Sequence, residues 1–315
     1  MTAIGFYNGQ FVQLDSPQVP IEERGHQFGD GIYEFVQIYG GRPFLLQAHL
    51  QRLEKGLAAI GISNPHTAAE WTQLINEAVR RSGESEAAVY WQVTRGATRR
   101  IHVFPDTSQP RISLTVYPRI LIKGNSQGLT LLARPDERWT NVWVKSINLL
   151  PNVLAKELAH RNGADEALFV RGGRVTEGGS SNVWFVFQHT LYTAPANRHI
   201  LNGITRQFVL KLAARLNIAV AEEPVVWQRV PVADEVFITS SSAEVAGVAK
   251  ILVDNQGESD LHSASQIIPG TLLPALKDTR IVWSGPGSGP ITNRLQQAFS
   301  EQVQQLRDAV PVDLM

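Results

Sequence analysis

Residues 175–183 read Val-Thr-Glu-Gly-Gly-Ser-Ser-Asn-Val and lie between two apolar runs that predict strands. Just before them, the Gly172-Gly173 pair predicts a hairpin turn, so that the strand which follows ends at Glu177. Gly178 and Gly179 have no Cβ, and their backbone can therefore approach a flat or bulky group closely. A carboxylate at this point can hold a protonated ring nitrogen. The alternative interpretation is an exposed turn acid beside a flexible loop.

The sequence around this stretch alternates predicted strands with predicted helices. The strands are predicted at 129–133, 141–144, 166–170, 182–187 and 235–239, and the helices at 150–161, 205–216 and 292–306. The helices follow from apolar residues at helical spacing, and the one ending near residue 161 is followed by Asn162-Gly163, a common helix stop. This alternation predicts a mixed α/β fold.

The N-terminal part predicts strands joined by tight turns, followed by a pair of helices. Asn8-Gly9 suits a type I′ hairpin turn, and a second strand pair is predicted across Gly40-Gly41. One helix is predicted to stop at Gly61, and the next starts at Thr67 with a capping-box pattern. Strands follow at 87–94 and 111–116. A linker is predicted over 117–127. We therefore predict a smaller N-terminal domain at 1–120 and a larger C-terminal domain at 121–315, which carries Lys145.

Composition excludes several classes of function. The chain of 315 residues has 29 Lys and Arg against 29 Asp and Glu, so it lacks the positive excess of a non-specific nucleic-acid binder. The absence of cysteine excludes disulfides, thiolate catalysis, zinc–cysteine sites and iron–sulfur clusters. The histidines are scattered and predict no metal site. Without a signal-peptide pattern or an apolar run of about 20 residues, we expect a soluble cytoplasmic protein with no membrane partner.

Other short patterns contain residues that can bind or react, and each of these patterns also has an ordinary structural explanation. Lys145 follows an apolar run, where desolvation would free the lone pair of its amine, but a solvated strand edge is the alternative. Gly203-Ile204-Thr205-Arg206 opens a helix whose first amides can bind an anion, although taken alone the pattern favours Thr205 as an N-cap over Thr205 as a phosphate ligand. Ser240-Ser241-Ser242 follows a buried strand, and ligands often lie at such strand ends. The cations of 94–102 can form a carboxylate site or a solvated loop.

The order of these patterns, more than any one of them, resembles a known family. The runs 24–34 (RGHQFGDGIYE), 144–150 (VKSINLL), 175–183 (VTEGGSSNV) and 201–206 (LNGITR) together resemble the fold-type IV pyridoxal-phosphate enzymes. That class includes branched-chain and D-amino-acid aminotransferases and aminodeoxychorismate lyase. The resemblance covers about residues 5–250. It implies a two-domain α/β fold, pyridoxal 5'-phosphate in the cleft between the domains, and a homodimer.

The resemblance also implies roles for individual residues. Lys145 would form the Schiff base with the cofactor aldehyde and then move the proton of the substrate α-carbon. Glu177 would pair with the pyridine nitrogen and keep it protonated. The remaining cofactor-binding residues would surround the phosphate: Arg52, Ile204, Thr205, Ser240 and Ser241.

Within the family, the substrate-binding residues resemble those of D-amino-acid aminotransferases. Arg100 and His102 follow Val93-Thr94-Arg95-Gly96 as in the carboxylate-binding segment of those enzymes, with Tyr33 as its third member and Ser180 as a further substrate contact. The resemblance therefore implies transamination between a D-amino acid (D-alanine, D-glutamate or D-aspartate) and a 2-oxo acid. The chain departs from the pattern in Arg99, a second cation beside Arg100, and in a longer tail after Gly257.

Other interpretations remain open from the sequence. Within the class they are an L-branched-chain aminotransferase, an (R)-amine transaminase or aminodeoxychorismate lyase. Outside it, a non-catalytic protein that binds pyridoxal phosphate or another anion would carry the same phosphate-binding residues.

Overall fold

The computed structural model describes residues 4–16, 19–119, 128–255, 257–262, 272–273, 276 and 278–308. The described chain forms two compact units. The first comprises the residues up to 119, together with 144–148 and the stretch from 302 onward, and the second comprises 128–143 and 149–301. The predicted boundary at 120/121 falls outside the described residues. Lys145 belongs to the first unit, whereas the predicted division placed it in the C-terminal domain.

The first unit contains an antiparallel sheet with helices packed on it. Its elements are β1 (Ile4–Tyr7), β2 (Gln10–Gln13), α1 (Arg24–Phe28), β3 (Gly31–Tyr39), β4 (Arg42–Pro43), α2 (Leu46–Ala59), α3 (Ala68–Ser82), β5 (Ala87–Thr94) and β6 (Arg111–Pro118). The strand order is β2-β1-β6-β5-β3-β4. Both predicted turns are confirmed, because Asn8 and Gly9 have positive φ angles of 43° and 99°, and Gly40 and Gly41 have 55° and 75°.

Alternation along β3 decides which face of this sheet is covered by helices. Ile32 and Val36 point into the apolar core, where they meet α2 through Leu50, Leu53 and Leu57. The neighbouring residues of β3 point to the opposite face. The predicted capping box is confirmed at the start of α3. Glu34 lies two residues from Ile32 and two from Val36, so its side chain shares their face of the sheet, the face toward α2.

The second unit contains a mixed sheet. Its elements are β7 (Leu129–Pro135), α4 (Leu150–Arg161), β8 (Glu166–Arg171), β9 (Arg174–Gly178), β10 (Asn182–Phe187), β11 (Thr190–Thr193), α5 (Ile204–Arg215), β12 (Val220–Ala221), β13 (Glu235–Ser240), β14 (Glu244–Asp254), β15 (Thr279–Ser284) and α6 (Pro290–Arg307), with short 3-10 helices at Trp227–Val232 and Glu258–Leu261. The strand order is β12-β11-β10-β13-β14-β7-β8-β9, and β15 pairs with β14. The last residues of α6, from Gln302, group with the first unit.

One predicted strand is wrong. Residues 141–144 form a turn, in which the amide of Ser146 donates to the carbonyl of Val144 at 2.8 Å. Within the described residues, 141–144 pair with no strand, and the neighbouring Ser146 forms an isolated bridge with Ile32 of β3. Trp143 is 42% exposed. Among the described residues, no helix is long and apolar enough to cross a membrane.

Candidate active site

Lys145 lies beside an aromatic ring on the first unit's sheet. Its carbonyl accepts a hydrogen bond of 3.0 Å from the amide of Tyr33, which fixes the backbone of the lysine against β3. Its Nζ lies 4.0 Å from the centre of the Tyr33 ring, and that ring lies 5.7 Å from the ring of Tyr90. The side chain is partly buried. An amine held over an aromatic face in this way is oriented and partly shielded from water.

Arg52 is held by a buried carboxylate. Its Nε and Nη2 donate to the two oxygens of Glu34 at 2.7 and 2.9 Å, and Nδ1 of His49 lies 2.7 Å from the same carboxylate. Burial alone would raise the pKa of Glu34, but the charge of Arg52 and the hydrogen bonds from Arg52 and His49 keep that pKa well below 4.5. Burial lowers the pKa of His49 below 6.5, against the attraction of Glu34. The guanidinium is therefore rigidly oriented.

Arg100 and His102 lie on the exposed loop between β5 and β6. Both pack on the ring of Phe28: the Arg100 guanidinium carbon lies 5.0 Å from its centre, and the His102 ring centre lies 5.5 Å away. The two predicted carboxylate-binding groups therefore share one aromatic support. The described residues show no hydrogen bond or ring contact between either of them and Tyr33, whose place in this group stays a prediction.

Glu177 ends β9 and is almost fully buried. One of its oxygens forms an ion pair with Arg138, and the other accepts from Asn182 at 3.0 Å and from the amide of Leu201 at 3.1 Å. Burial raises the pKa of Glu177 to about 7, while the charge of Arg138 acts in the opposite direction. A carboxyl group poised near neutral pH can exchange its proton with a partner of similar pKa. The exposed turn acid considered from the sequence is excluded.

Arg138 connects Glu177 to a second buried carboxylate. Its Nε and Nη2 donate to Asp136 at 2.8 and 2.9 Å, and Arg171 also contacts Asp136 at 3.1 Å. Although burial raises it, the hydrogen bonds and charges of Arg138 and Arg171 keep the pKa of Asp136 below its usual value. Neither Asp136 nor Arg138 stood out in the sequence. Only the parallel pairing of β7 with β8, which in turn pairs with β9, brings them to Glu177.

The start of α5 has the features of an anion site. Gly203 precedes the helix, no side chain caps it, and Ile204 and Thr205 form its buried first turn. The first amides of an uncapped helix lack intrahelical partners and favour negative charge. The predicted N-cap role of Thr205 is therefore wrong, since the residue lies inside the helix. A Cβ on Gly203 would lie 2.2 Å from Oδ1 of Asn182, so any larger residue would have to displace that side chain.

Ser240 and Ser241 lie at the end of β13, next to this region. β13 pairs with β10 so that Thr239 faces Asn182, the residue that abuts Gly203 and holds Glu177. The hydroxyl of Ser240 accepts from the amide of Ala243 at 3.0 Å. Asn182 thus joins the carboxylate, the helix start and this strand end. It stood within the 175–183 run, but nothing in the sequence separated it from its neighbours.

Ser180 has a structural set of partners. Its Oγ donates to Glu166 at 2.7 Å, and Nζ of Lys156 donates to Ser180 at 3.0 Å. Glu166 is buried and also accepts from the amide of Ser180 at 3.2 Å. These contacts anchor the loop that follows Glu177. The substrate contact assigned to Ser180 stays a prediction.

The donor set fits pyridoxal 5'-phosphate. Lys145 has a primary amine that suits the cofactor aldehyde, and Glu177 has a buried carboxylate that suits its ring nitrogen. The uncapped amides of Ile204 and Thr205 suit a phosphate group, and hydroxyl groups lie on the neighbouring strand end. Each of these residues was predicted from the sequence. Arg52, also predicted to bind the phosphate, is engaged by Glu34, and its role toward the cofactor stays a prediction.

Comparison with known proteins places these residues in a family context. Residues 31–251 match the family model described as amino-transferase class IV. The chain is 39% identical over 246 residues to the D-alanine aminotransferase of Bacillus licheniformis, covering 78% of this chain and 87% of the relative. It is 35% identical over 302 residues to the D-alanine aminotransferase of Staphylococcus epidermidis, covering 95% and 97%.

Solved structures support the fold. The branched-chain amino acid aminotransferase of Escherichia coli superposes with a TM-score of 0.79 at 23% identity, covering 96% of this chain and 94% of that one. The branched-chain aminotransferase of Thermoproteus uzoniensis gives 0.78 at 21% identity, covering 96% and 95%. At these identities the likeness bears on the fold alone. The fold-type IV architecture predicted from the sequence is confirmed.

Proposed function

The chain belongs to the class IV aminotransferase family, and we propose that it transfers the amino group of a D-amino acid to a 2-oxo acid with pyridoxal 5'-phosphate as cofactor. The observation that carries this proposal is the similarity to curated D-alanine aminotransferases along nearly the whole chain. The side chains that the reaction requires are present with suitable surroundings. D-alanine is the first amino donor to test, and D-glutamate and D-aspartate follow.

Bound pyridoxal phosphate supplies an electron sink for the substrate α-carbon. Lys145 would hold the cofactor through its amine and, once free, would take the proton from the α-carbon on Nζ. The Tyr33 ring, 4.0 Å from Nζ, limits the directions in which that amine can move. The Tyr33 amide donates to the Lys145 carbonyl, so the backbone of the lysine would stay fixed while its side chain moves between the cofactor and the substrate.

Glu177 would keep the ring nitrogen of the cofactor protonated. Its raised pKa, about 7, allows the proton to be shared rather than lost to water. Asn182 and the Leu201 amide hold its second oxygen, so the carboxylate stays in one orientation. The amides of Ile204 and Thr205, and the hydroxyls of Thr205, Ser240 and Ser241, would bind the phosphate group.

The choice of substrate would depend on the β5–β6 loop. Arg100 can grip a carboxylate with two parallel hydrogen bonds, and His102 can donate a further one. Tyr33 would act as the third substrate contact and Ser180 as another. We further propose that the protein is a homodimer in the cytoplasm, which sedimentation and cell fractionation test directly.

A spectroscopic experiment tests the function. Purified protein with pyridoxal phosphate is mixed with D-alanine or with L-leucine, and the visible absorbance of the cofactor is recorded. Loss of that absorbance with D-alanine alone is the expected result. Loss with L-leucine alone would move the protein to the branched-chain enzymes, and release of pyruvate from aminodeoxychorismate without an acceptor would identify a lyase. Lys145→Ala should abolish the reaction, and wild-type activity in that variant would refute the proposed role of the amine.

A further inference from the structure

The β5–β6 loop that carries Arg100 and His102 is closed tightly at its base. Gly96, with a φ of 98°, lies so close to the loop's other end that a Cβ would approach the carbonyl of Gln109 to 2.2 Å. Beyond the base, residues 99–104 are exposed. An exposed stretch of this length has no strand or helix to fix it, so its conformation depends on the contacts that reach out to it.

One of those contacts comes from Arg24. Its Nη1 donates to the carbonyl of Ile101 at 2.7 Å, and its Nε donates to Asp30 at 2.8 Å. Ile101 lies between Arg100 and His102 in the chain. Arg24 is 2% exposed, and its guanidinium carbon lies 4.8 Å from the centre of the Phe28 ring, the same ring that supports both of those side chains. A single buried guanidinium therefore holds both the backbone between the two groups and the ring beneath them.

Arg24 is itself fixed by a rigid network. Asp30 also accepts from Arg95 at 2.9 and 3.1 Å, so one carboxylate joins two buried guanidiniums. Arg95 in turn donates to the carbonyls of Ile60 and Gly61 at 2.6 and 2.9 Å, just beyond the end of α2. This network connects the loop to a packed helix. Among the described residues, Asp30 is the one carboxylate that pairs with Arg24 or Arg95, and this excess of positive charge favours a negatively charged ligand near the loop.

We propose that Arg24 is a positioning residue for recognition of the substrate α-carboxylate: its hydrogen bond to Ile101 sets the spacing and direction of Arg100 and His102. The inference rests on the proposed function, because it takes the loop to be the carboxylate-binding element. Bidentate recognition by arginine depends on geometry, and a loop that moves by about an ångström loses much of its advantage. Arg24 acts through the loop and does not itself touch the substrate.

Limited proteolysis and steady-state kinetics together test the proposal. The holoenzyme is treated with trypsin, which cleaves after Arg99 and Arg100, and cleavage is followed by mass spectrometry. Arg24→Gln, which keeps an N–H donor but cannot hold both acceptors, should speed cleavage there roughly tenfold. It should also raise the KM for D-alanine about tenfold, with kcat changed less than threefold and with cofactor affinity unchanged.

Two further variants make the test specific. Arg24→Lys keeps the charge but replaces the planar fork by a compact ammonium, and it should fall between wild type and Arg24→Gln in both measurements. Arg119→Met is the matched control. Arg119 belongs to the same unit, and its side chain is 11% exposed. It donates to Glu86 at 2.8 Å, and its guanidinium carbon lies 4.5 Å from the centre of the Tyr39 ring. It should leave both the cleavage rate at Arg99–Arg100 and the KM unchanged.

The outcomes separate the inference from the proposed function. If Arg100→Ala leaves the KM for D-alanine unchanged, the loop does not bind the substrate carboxylate. The part of the proposed function that assigns carboxylate binding to Arg100 is then refuted. If Arg100→Ala raises the KM while Arg24→Gln changes neither cleavage nor KM, the positioning role of Arg24 is refuted. Equal effects of Arg24→Gln and Arg119→Met would also overturn it. Should Arg24→Gln fail to fold, Arg24→Lys decides by the same criteria.

Discussion

Replacing Glu34 with glutamine is the most informative perturbation of stability in the first unit. The Glu34 side chain is 0% exposed and that of Arg52 is 14% exposed, so the ion pair between them is shielded from water. Glutamine fits the same space but removes the negative charge that Glu34 presents to the guanidinium. Removing one partner of a buried pair typically costs about 3–5 kcal/mol. For a protein of this size, that corresponds to a fall in Tm on the order of 10 °C.

The stability that Glu34 contributes depends on pH, and the direction of its pKa shift determines the pH range in which that stability is lost. Because the pKa of Glu34 is lower in the folded chain than its ordinary 4.5, its contribution to stability is complete above that value and is lost as the pH falls toward the folded pKa. The pKa of His49 is lower in the folded chain than its ordinary 6.5, so the unfolded chain binds this proton more readily. The free energy of unfolding of the wild type therefore falls further as the pH drops below 6.5. We therefore expect the free-energy difference between wild type and Glu34→Gln to be largest above pH 4.5 and to narrow below it.

Urea unfolding of the cofactor-free protein from pH 3.5 to 8 measures both quantities. Glu86→Gln is the matched control, since Glu86 likewise accepts from two basic side chains, here Arg119 and Arg307, but its side chain is 36% exposed. Solvent screening should hold its cost to about 1 kcal/mol or less. Equal losses in the two variants, or a loss in Glu34→Gln that does not depend on pH, would refute the assignment of Glu34 as a buried anion.

Further substitutions test the second unit. Because burial raises the pKa of Glu177 to about 7, its contribution to the stability of the cofactor-free chain is present below pH 4.5 and is lost between pH 4.5 and 7. Glu177→Gln should abolish that loss in urea titrations and should also slow turnover, and an unchanged rate would count against its catalytic role. Gly203→Ala places a Cβ 2.2 Å from Asn182, and thermal unfolding should show a loss of about 1–3 kcal/mol. Gly257→Ala, whose nearest neighbour is 3.3 Å away, should cost less, and equal losses would contradict the clash.

Features that depend on neighbouring residues could be predicted from the sequence. The turn at Asn8-Gly9 follows from which residues tolerate a positive φ, and the capping box at Thr67 follows from a spacing of three residues. The strand predicted at 141–144 was wrong for the opposite reason. An apolar run indicates burial, but a strand also needs a partner strand, and in the described part of the chain residues 141–144 have none.

The side chains that hold the site could not be predicted in the same way. Arg95 and Asp30 are 65 positions apart, and Arg138 and Glu177 are 39 apart. Only sheet topology brings each pair together. Glu34 is a partial exception. Because Glu34 lies two residues from Ile32 and Val36, the strand period places it on the core face of β3. A charge on that face requires a partner. The helix that follows supplies that partner in Arg52.

Exposed functional groups and buried supporting groups should respond differently to substitution. Arg100 and His102 are exposed and Lys145 is partly buried, so if they act as proposed, replacing any of them should lower activity while the packing survives. Arg24, Glu34 and Arg138 are buried, and each forms an ion pair with another charged side chain, so their loss disturbs both the packing and the charge balance of the interior. A variant that loses activity at unchanged Tm therefore indicates a residue that meets the substrate or cofactor. One that loses both indicates a residue that holds such a group in place, and measuring Tm beside kcat and KM separates the two roles.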